Sequence, residues 1–117
     1  MNKKFTIFHN PRCSKSRAAL EILIKNKIQP NIFLYLKKKL SKKQLNNILI
    51  KLNLPIRDIL RKGEKEFKDN NLKNEKLTDN QLIDYVIRFP KLLERPILLT
   101  DNKGLIARPP EKVLEIL

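Results

Sequence analysis

The order of apolar and polar residues predicts an alternation of short strands and amphipathic helices. Strand-like apolar runs occur at residues 5–8 and 32–36, and the apolar spacing between them predicts a helix over about 14–27. Two strands joined through one such helix form a parallel pair, with a loop at the carboxyl end of the first strand. That loop is where a βαβ unit commonly places its chemistry.

The middle of the chain changes to helical periodicity. Capping-box patterns at Ser41 and Thr78 each precede apolar residues spaced three and four apart, which predicts two helices. A short helix is expected over about 55–63, with Arg61 in its last turn. The polar and charged residues 64–76 carry no predicted element.

Strand patterns return at residues 97–100 and 105–108, and a helix with Val113, Leu114 and Leu117 ends the chain. The order of elements predicts an α/β protein with a thioredoxin-like fold. Its four-stranded mixed sheet is interrupted by a helical subdomain inserted at about 41–90. At 117 residues, we expect a single domain over 1–117.

The composition indicates which classes of binding partner to expect for this protein. The net charge is +14, from 26 Lys and Arg against 12 Asp and Glu, but the lysines run along the whole chain together with Asn and Ile, as codon bias would produce. Aromatic residues are not interleaved with the cations, so we expect no specific nucleic-acid partner. No apolar run is long enough for a bilayer and no signal peptide is recognisable, so we expect a cytoplasmic monomer without membrane contact.

The single cysteine, Cys13, falls in the loop after the first strand. The surrounding segment reads His9-Asn10-Pro11-Arg12-Cys13-Ser14-Lys15-Ser16-Arg17. A thiol at the first turn of a helix faces unpaired N–H groups, and cations on both sides of it favour the thiolate. A buried structural cysteine is the alternative, but the proline and the cations indicate an exposed turn. Because one cysteine forms no internal disulfide, a redox cycle here requires an external thiol.

Three arginines lie next to predicted strand or helix ends, namely Arg61, Arg95 and Arg108. Guanidinium groups bind tetrahedral oxyanions through two parallel hydrogen bonds and stay charged. If the three converge on the cysteine, they would bind an oxyanion and stabilise the thiolate. Taken singly, each could be an ordinary surface cation. Arg57 and Arg88, on predicted helices, are expected to take no part in the chemistry.

Together these motifs resemble the ArsC family of glutaredoxin-dependent arsenate reductases. The resemblance rests on the cysteine segment followed in order by Leu60-Arg61-Lys62, Glu94-Arg95-Pro96-Ile97 and Ala107-Arg108-Pro109, and it extends over about residues 5–117. It is strongest to a shorter arsenate-reductase-like branch, since the chain stops at Leu117. In addition, Arg12 stands where a small residue is common.

The resemblance implies a role for each motif residue. Cys13 is the nucleophile, His9 supports its thiolate, and Ser16 can hydrogen-bond the sulfur. Arg61, Arg95 and Arg108 hold the oxyanion. Structural residues near the site are Asn10, Pro11, Arg17 and Pro96, with Arg95–Pro96 expected as a cis peptide.

The implied reaction reduces arsenate to arsenite through a covalent thioarsenate on Cys13. Glutathione is the co-substrate and glutaredoxin the protein partner, with no bound cofactor and no metal. Two alternatives stay open. An Spx-like regulator that binds RNA polymerase would need a Cys-x-x-Cys pair, whose second position is Ser16 here. A glutathione-dependent thiol reductase with another substrate would not need all three arginines.

Overall fold

A computed structural model describes residues 4–117, in which four short strands form one mixed sheet. The strands are β1 (Thr6–Phe8), β2 (Asn31–Phe33), β3 (Ile97–Leu99) and β4 (Gly104–Ile106). Their order across the sheet is β2-β1-β3-β4. β1 pairs with β2 in parallel, while the β1–β3 and β3–β4 pairs are antiparallel. The predicted four-stranded mixed sheet is therefore confirmed.

Helices supply the rest of the regular structure. The α-helices are α1 (Ser14–Lys25), α2 (Lys42–Leu52), α3 (Lys65–Asp69) and α4 (Asp79–Arg88), and 3-10 helices occur at Ile56–Ile59, Pro90–Leu92 and Pro110–Ile116. Both predicted capping boxes are present, at the N-termini of α2 and α4. Within residues 4–117, no helix is long and apolar enough to cross a membrane.

The chain divides into two compact units. A sheet unit comprises Met1–Lys38 and Arg95–Leu117, and a helical unit comprises Lys39–Glu94. The helical segment predicted at about 41–90 lies within the second unit. The description of the whole chain as one domain stays a prediction.

The sheet unit buries one face of its sheet under two helices. α1 packs against the terminal 3-10 helix. An apolar cluster joins strand and helix side chains: Phe5, Ile7, Ala19, Leu23, Leu98, Ala107 and Val113. Ile7 of β1 and Phe5, two residues before it, thus share the face that packs against α1, as the period of an extended chain requires.

The terminal helix is of the 3-10 type, and this changes which residues it buries. The sequence predicts Val113, Leu114 and Leu117 as its apolar positions. Val113 is fully buried, but Leu114 is 54% and Leu117 39% exposed. In a 3-10 helix side chains three residues apart share a face, so Pro110 and Ile116 accompany Val113 instead.

In the helical unit, the helix predicted over 55–63 is wrong in its length. Only Ile56–Ile59 is helical, and Leu60 turns to an extended conformation to form an antiparallel bridge with Leu93. Both leucines are buried by this pairing. Arg61 therefore follows the bridge rather than ending a helix, and its N–H donates to the carbonyl of Leu92 at 2.7 Å.

Two other boundaries differ from the predictions. α3 forms inside the polar stretch 64–76, where Phe67 is its one buried side chain and leaves no periodic pattern. β2 ends at Phe33, three residues earlier than predicted, because the chain turns at Leu34. The carbonyl of Leu34 accepts hydrogen bonds from the N–H groups of Lys37 and Lys38 at 3.0 and 2.9 Å.

Arg57 organises the segment between α3 and α4. Its guanidinium donates to the carbonyls of Leu72, Asn74 and Leu77 at 3.1, 2.8 and 3.3 Å. Arg57 is therefore a structural anchor, which the sequence did not reveal. Of the two helical arginines expected to be uninvolved in chemistry, Arg88 is exposed and is the better control.

We expect Arg57→Lys to lower the free energy of unfolding by about 1 to 2 kcal/mol. A single ammonium group cannot make all the hydrogen bonds that the planar guanidinium donates to several carbonyls. Chemical denaturation monitored by circular dichroism measures this. The matched control, Arg88→Lys, should change stability by less than about 0.5 kcal/mol. Equal stability of the two variants would contradict the anchoring role.

Candidate active site

The register between β1 and β3 places the cysteine loop beside the Arg95–Pro96 segment. Phe8 pairs with Ile97 across the antiparallel ladder, so the next residues outward are His9 and Pro96. The N–H of His9 also donates to the carbonyl of Phe33 at 2.9 Å, which ties the loop to the end of β2. The Arg95–Pro96 peptide is cis, as predicted.

The pairing of β3 with β4 adds Arg108 to the same end of the sheet. The N–H of Ala107 donates to the carbonyl of Pro96 at 2.9 Å, and Arg108 Nη1 donates to the carbonyl of Arg95 at 3.3 Å. Arg108–Pro109 is a second cis peptide. Nε of Arg95 is buried, and no residue from 4 to 117 provides it with a hydrogen-bond acceptor. Two of the arginines predicted to bind an oxyanion, Arg95 and Arg108, therefore lie side by side at the end of the sheet that carries the cysteine loop.

Hydrogen bonds within the loop fix the position of Cys13. Its N–H donates to the carbonyl of Asn10 at 3.0 Å, and the N–H of Arg12 donates to Asn10 Oδ1, also at 3.0 Å. Arg17 Nη1 donates to the carbonyl of Pro11 at 2.9 Å. Asn10, Pro11 and Arg17 thus lie near the site and participate in its backbone structure.

Cys13 is the N-cap residue of α1 and is partly exposed, and its side chain makes no capping hydrogen bond. The first helical bond is donated by the N–H of Arg17 to the carbonyl of Cys13 at 3.0 Å. Among the hydrogen bonds described for residues 4–117, none uses the N–H groups of residues 14–16 as donors. Such N–H groups at a helix N-terminus bind anions and stabilise negative charge.

His9 and Ser16 form a buried polar pair behind the loop. His9 Nδ1 lies 2.5 Å from Ser16 Oγ, which also accepts the N–H of Asn10 at 3.1 Å. Burial, and secondarily the Arg17 guanidinium, lower the pKa of His9 below its ordinary value of 6.5. At neutral pH the imidazole is therefore uncharged, so His9 is not one of the cations around Cys13.

Ser16 is held by two hydrogen bonds from residues of the cysteine loop. Both of its hydrogen bonds go to His9 and Asn10, because a fully buried hydroxyl must find its partners inside the protein. Its direct hydrogen bond to the sulfur of Cys13 stays a prediction.

Arg61 belongs to the helical unit, where carboxylates surround it. Its Nη1 is paired with Glu64, and its Nε lies 3.4 Å from Glu94 Oε1. These pairs leave the side chain about a quarter exposed, at 24%. The role of Arg61 in oxyanion binding stays a prediction from the sequence.

A cavity of about 280 Å³ lies next to the cysteine loop and was not foreseen from the sequence. It is bounded by residues 9–12 and by the turn that follows β2, through Leu34, Leu36 and Lys37. The only available signal was the basic run after the predicted second strand, which resembles ordinary surface. For the described residues, no group of three or more His, Cys, Asp or Glu is arranged to hold a metal ion.

Comparison with known proteins gives consistent results. A model of the ArsC family matches residues 8–116. An arsenate reductase of Haemophilus influenzae is 43% identical over 112 residues, covering 95% of this chain and 97% of that protein. Escherichia coli K12 YfgD, described as uncharacterized, is 41% identical over 117 residues, covering 99% and 98%. The solved arsenate reductase from Vibrio cholerae is 37% identical, covers 100% of both chains and superposes with a TM-score of 0.96, which confirms the predicted thioredoxin-like fold.

The lowered pKa of His9 predicts a specific dependence of stability on pH. As the pH falls below about 6.5, His9 becomes protonated in the unfolded chain while it is still neutral in the folded protein. The free energy of unfolding therefore decreases. Above that pH this contribution is fully present. His9→Gln removes the only histidine, so its loss of stability between about pH 7.5 and about pH 5.5 should be smaller than that of the wild type. Denaturation in phosphate-free buffer tests this, and equal losses would contradict the assignment.

Proposed function

The chain belongs to the ArsC family, and we propose that it reduces arsenate to arsenite with Cys13 as the nucleophile. One observation carries the proposal. The cysteine loop, the anion-binding end of α1 and two adjacent arginines, Arg95 and Arg108, meet at one end of the sheet. This arrangement suits a thiolate that attacks a tetrahedral oxyanion.

Oxyanion binding would draw on two sources of N–H donors. The unpaired N–H groups of residues 14–16 point along the axis of α1 with the positive end of the helix dipole. The guanidinium of Arg95 has a buried Nε without an acceptor, and an oxyanion oxygen would supply one.

The proposed reaction proceeds by successive substitutions at arsenic. The thiolate of Cys13 attacks arsenic and an oxygen leaves as water, forming an S–As bond while arsenic stays pentavalent. A glutathione thiolate displaces a second oxygen as water, so that arsenic bridges two sulfurs. A glutaredoxin thiolate then attacks the glutathione sulfur. The electron pair of the broken S–As bond reduces arsenic to the trivalent state, and a mixed disulfide forms.

Hydrolysis of the remaining S–As bond releases arsenite and restores the thiol of Cys13. Two electrons are supplied in total, one from each external thiol. The chain has only one cysteine and cannot close an internal disulfide, so the reaction needs external thiols. Glutathione and glutaredoxin are the thiols that the resemblance to the ArsC family implies. The Spx-like alternative lacks its second cysteine at Ser16, which is buried and hydrogen-bonded to His9.

His9 and Ser16 act as positioning residues in this proposal. Ser16 Oγ accepts the N–H of Asn10 and contacts His9 Nδ1, so the pair supports the loop from inside. When Nδ1 carries the imidazole proton, it donates to Ser16, whose own hydroxyl proton is then available to the sulfur of Cys13. Neutral His9 thereby influences the thiolate through Ser16 rather than through charge.

Arsenate-dependent NADPH consumption, with glutathione, glutaredoxin and glutathione reductase present, tests the proposal. Cys13→Ser should abolish turnover. Arg95→Lys and Arg108→Lys keep the charge but lose the planar fork, so each should lower kcat/KM by about ten- to a hundred-fold. Arg88→Lys is the control and should keep wild-type activity.

Unaltered arsenate reduction in the Arg95 and Arg108 variants would place the oxyanion site elsewhere. A wild type that consumes NADPH with a disulfide substrate but not with arsenate would favour the thiol-reductase alternative. Arg61→Lys in the same assay tests the role that the sequence assigns to Arg61.

A further inference from the structure

The cavity beside the cysteine loop has two walls that are each fixed by a hydrogen bond. On one side, the N–H of Arg12 is held by Asn10 Oδ1 at 3.0 Å. On the other, the carbonyl of Leu34 holds the N–H of Lys37 at 3.0 Å. The bond from the His9 N–H to the carbonyl of Phe33, at 2.9 Å, joins the walls at their base. The cavity is therefore preformed rather than a gap between mobile loops.

The lining combines apolar walls with cations at the rim. Leu34 and Leu36 supply apolar surface, and the exposed side chains of Arg12 and Lys37 supply positive charge. None of the residues that line the cavity is acidic. Such a lining favours an elongated ligand that has both an apolar portion and a carboxylate, because a bare oxyanion gains nothing from leucine side chains.

The position of the cavity relates it to the reaction. Its lining ends at Arg12, and the next residue is the proposed nucleophile Cys13. A ligand seated there with its carboxylate toward Arg12 and Lys37 would lie against the loop that carries the thiol. A volume of about 280 Å³ is at the small end for ligand sites, which suits one end of a tripeptide rather than the whole molecule.

We propose that this cavity is the binding subsite for the anionic peptide thiol that serves as co-substrate, with Arg12 and Lys37 recognising its carboxylate. The proposal rests on the proposed function for the identity of the reaction, but it concerns residues outside the oxyanion-binding set.

Calorimetric titration with S-methylglutathione tests the subsite without requiring turnover, because the methylated sulfur cannot react. We expect the wild type to bind this probe, and Arg12→Ala and Lys37→Ala each to raise the Kd by about three- to ten-fold, as loss of one charge-assisted contact at a rim would do. Lys103→Ala, which removes an equal charge from the exposed β3–β4 turn, should leave the Kd unchanged. Esterifying the carboxylates of the probe should abolish the difference between variants.

Steady-state kinetics separate this inference from the proposed function. In the NADPH assay, the Arg12 and Lys37 variants should raise the KM for glutathione and leave the KM for arsenate within about two-fold of wild type. The subsite is overturned if the probe fails to bind the wild type, if neither substitution changes its Kd, or if the KM for arsenate rises instead. If the wild type does not reduce arsenate but binds the probe through Arg12 and Lys37, the subsite stands and the proposed function fails.

Discussion

The hydrogen-bonded register of β1 is the constraint on which the rest of the site depends. This strand has only three residues, and it pairs with β2 on one side and β3 on the other. A slip of one residue against β3 would turn Ile7 out of the cluster that it forms with α1, because side chains alternate along a strand. It would also displace His9 from Pro96. Burial of Ile7 therefore sets the position of the cysteine loop relative to Arg95.

The polar interior behind the loop follows from the same constraint. Once the first turn of α1 packs on the sheet, Ser16 has no access to water, and its hydroxyl must be satisfied by His9 and the N–H of Asn10. Burial, and secondarily the Arg17 guanidinium, lowers the pKa of His9 and keeps it neutral, since a charged imidazole would lose its hydration there. In the same arrangement, none of the hydrogen bonds described for residues 4–117 uses the N–H groups of residues 14–16, in the first turn of α1, as donors. An unsatisfied helix end facing solvent is what an anion requires.

Local patterns predicted most of the fold, and contacts between distant residues account for what they missed. The capping boxes at Ser41 and Thr78 were identifiable because both partners lie within three residues. The bridge from Leu60 to Leu93 and the anchoring of Leu72 by Arg57 join residues far apart in sequence, so no periodicity records them. At the site, the cysteine segment was visible as a motif. The cavity could not be predicted, because its second wall is the turn after β2. The apolar run 32–36 led to the prediction of a strand at that turn.

The chemistry of this chain depends on the partners of its cations rather than on their number. With a net charge of +14, positive residues alone say little about function. The structure separates them by what they contact. Arg57 donates to backbone carbonyls, and Arg61 is paired with carboxylates. Arg95 keeps a buried Nε that finds no acceptor in the described part of the chain. A buried donor without an acceptor costs free energy that a bound oxyanion can offset, whereas an exposed lysine loses nothing by staying hydrated. In a strongly basic protein, the unsatisfied donor is thus the more specific indication of a binding site.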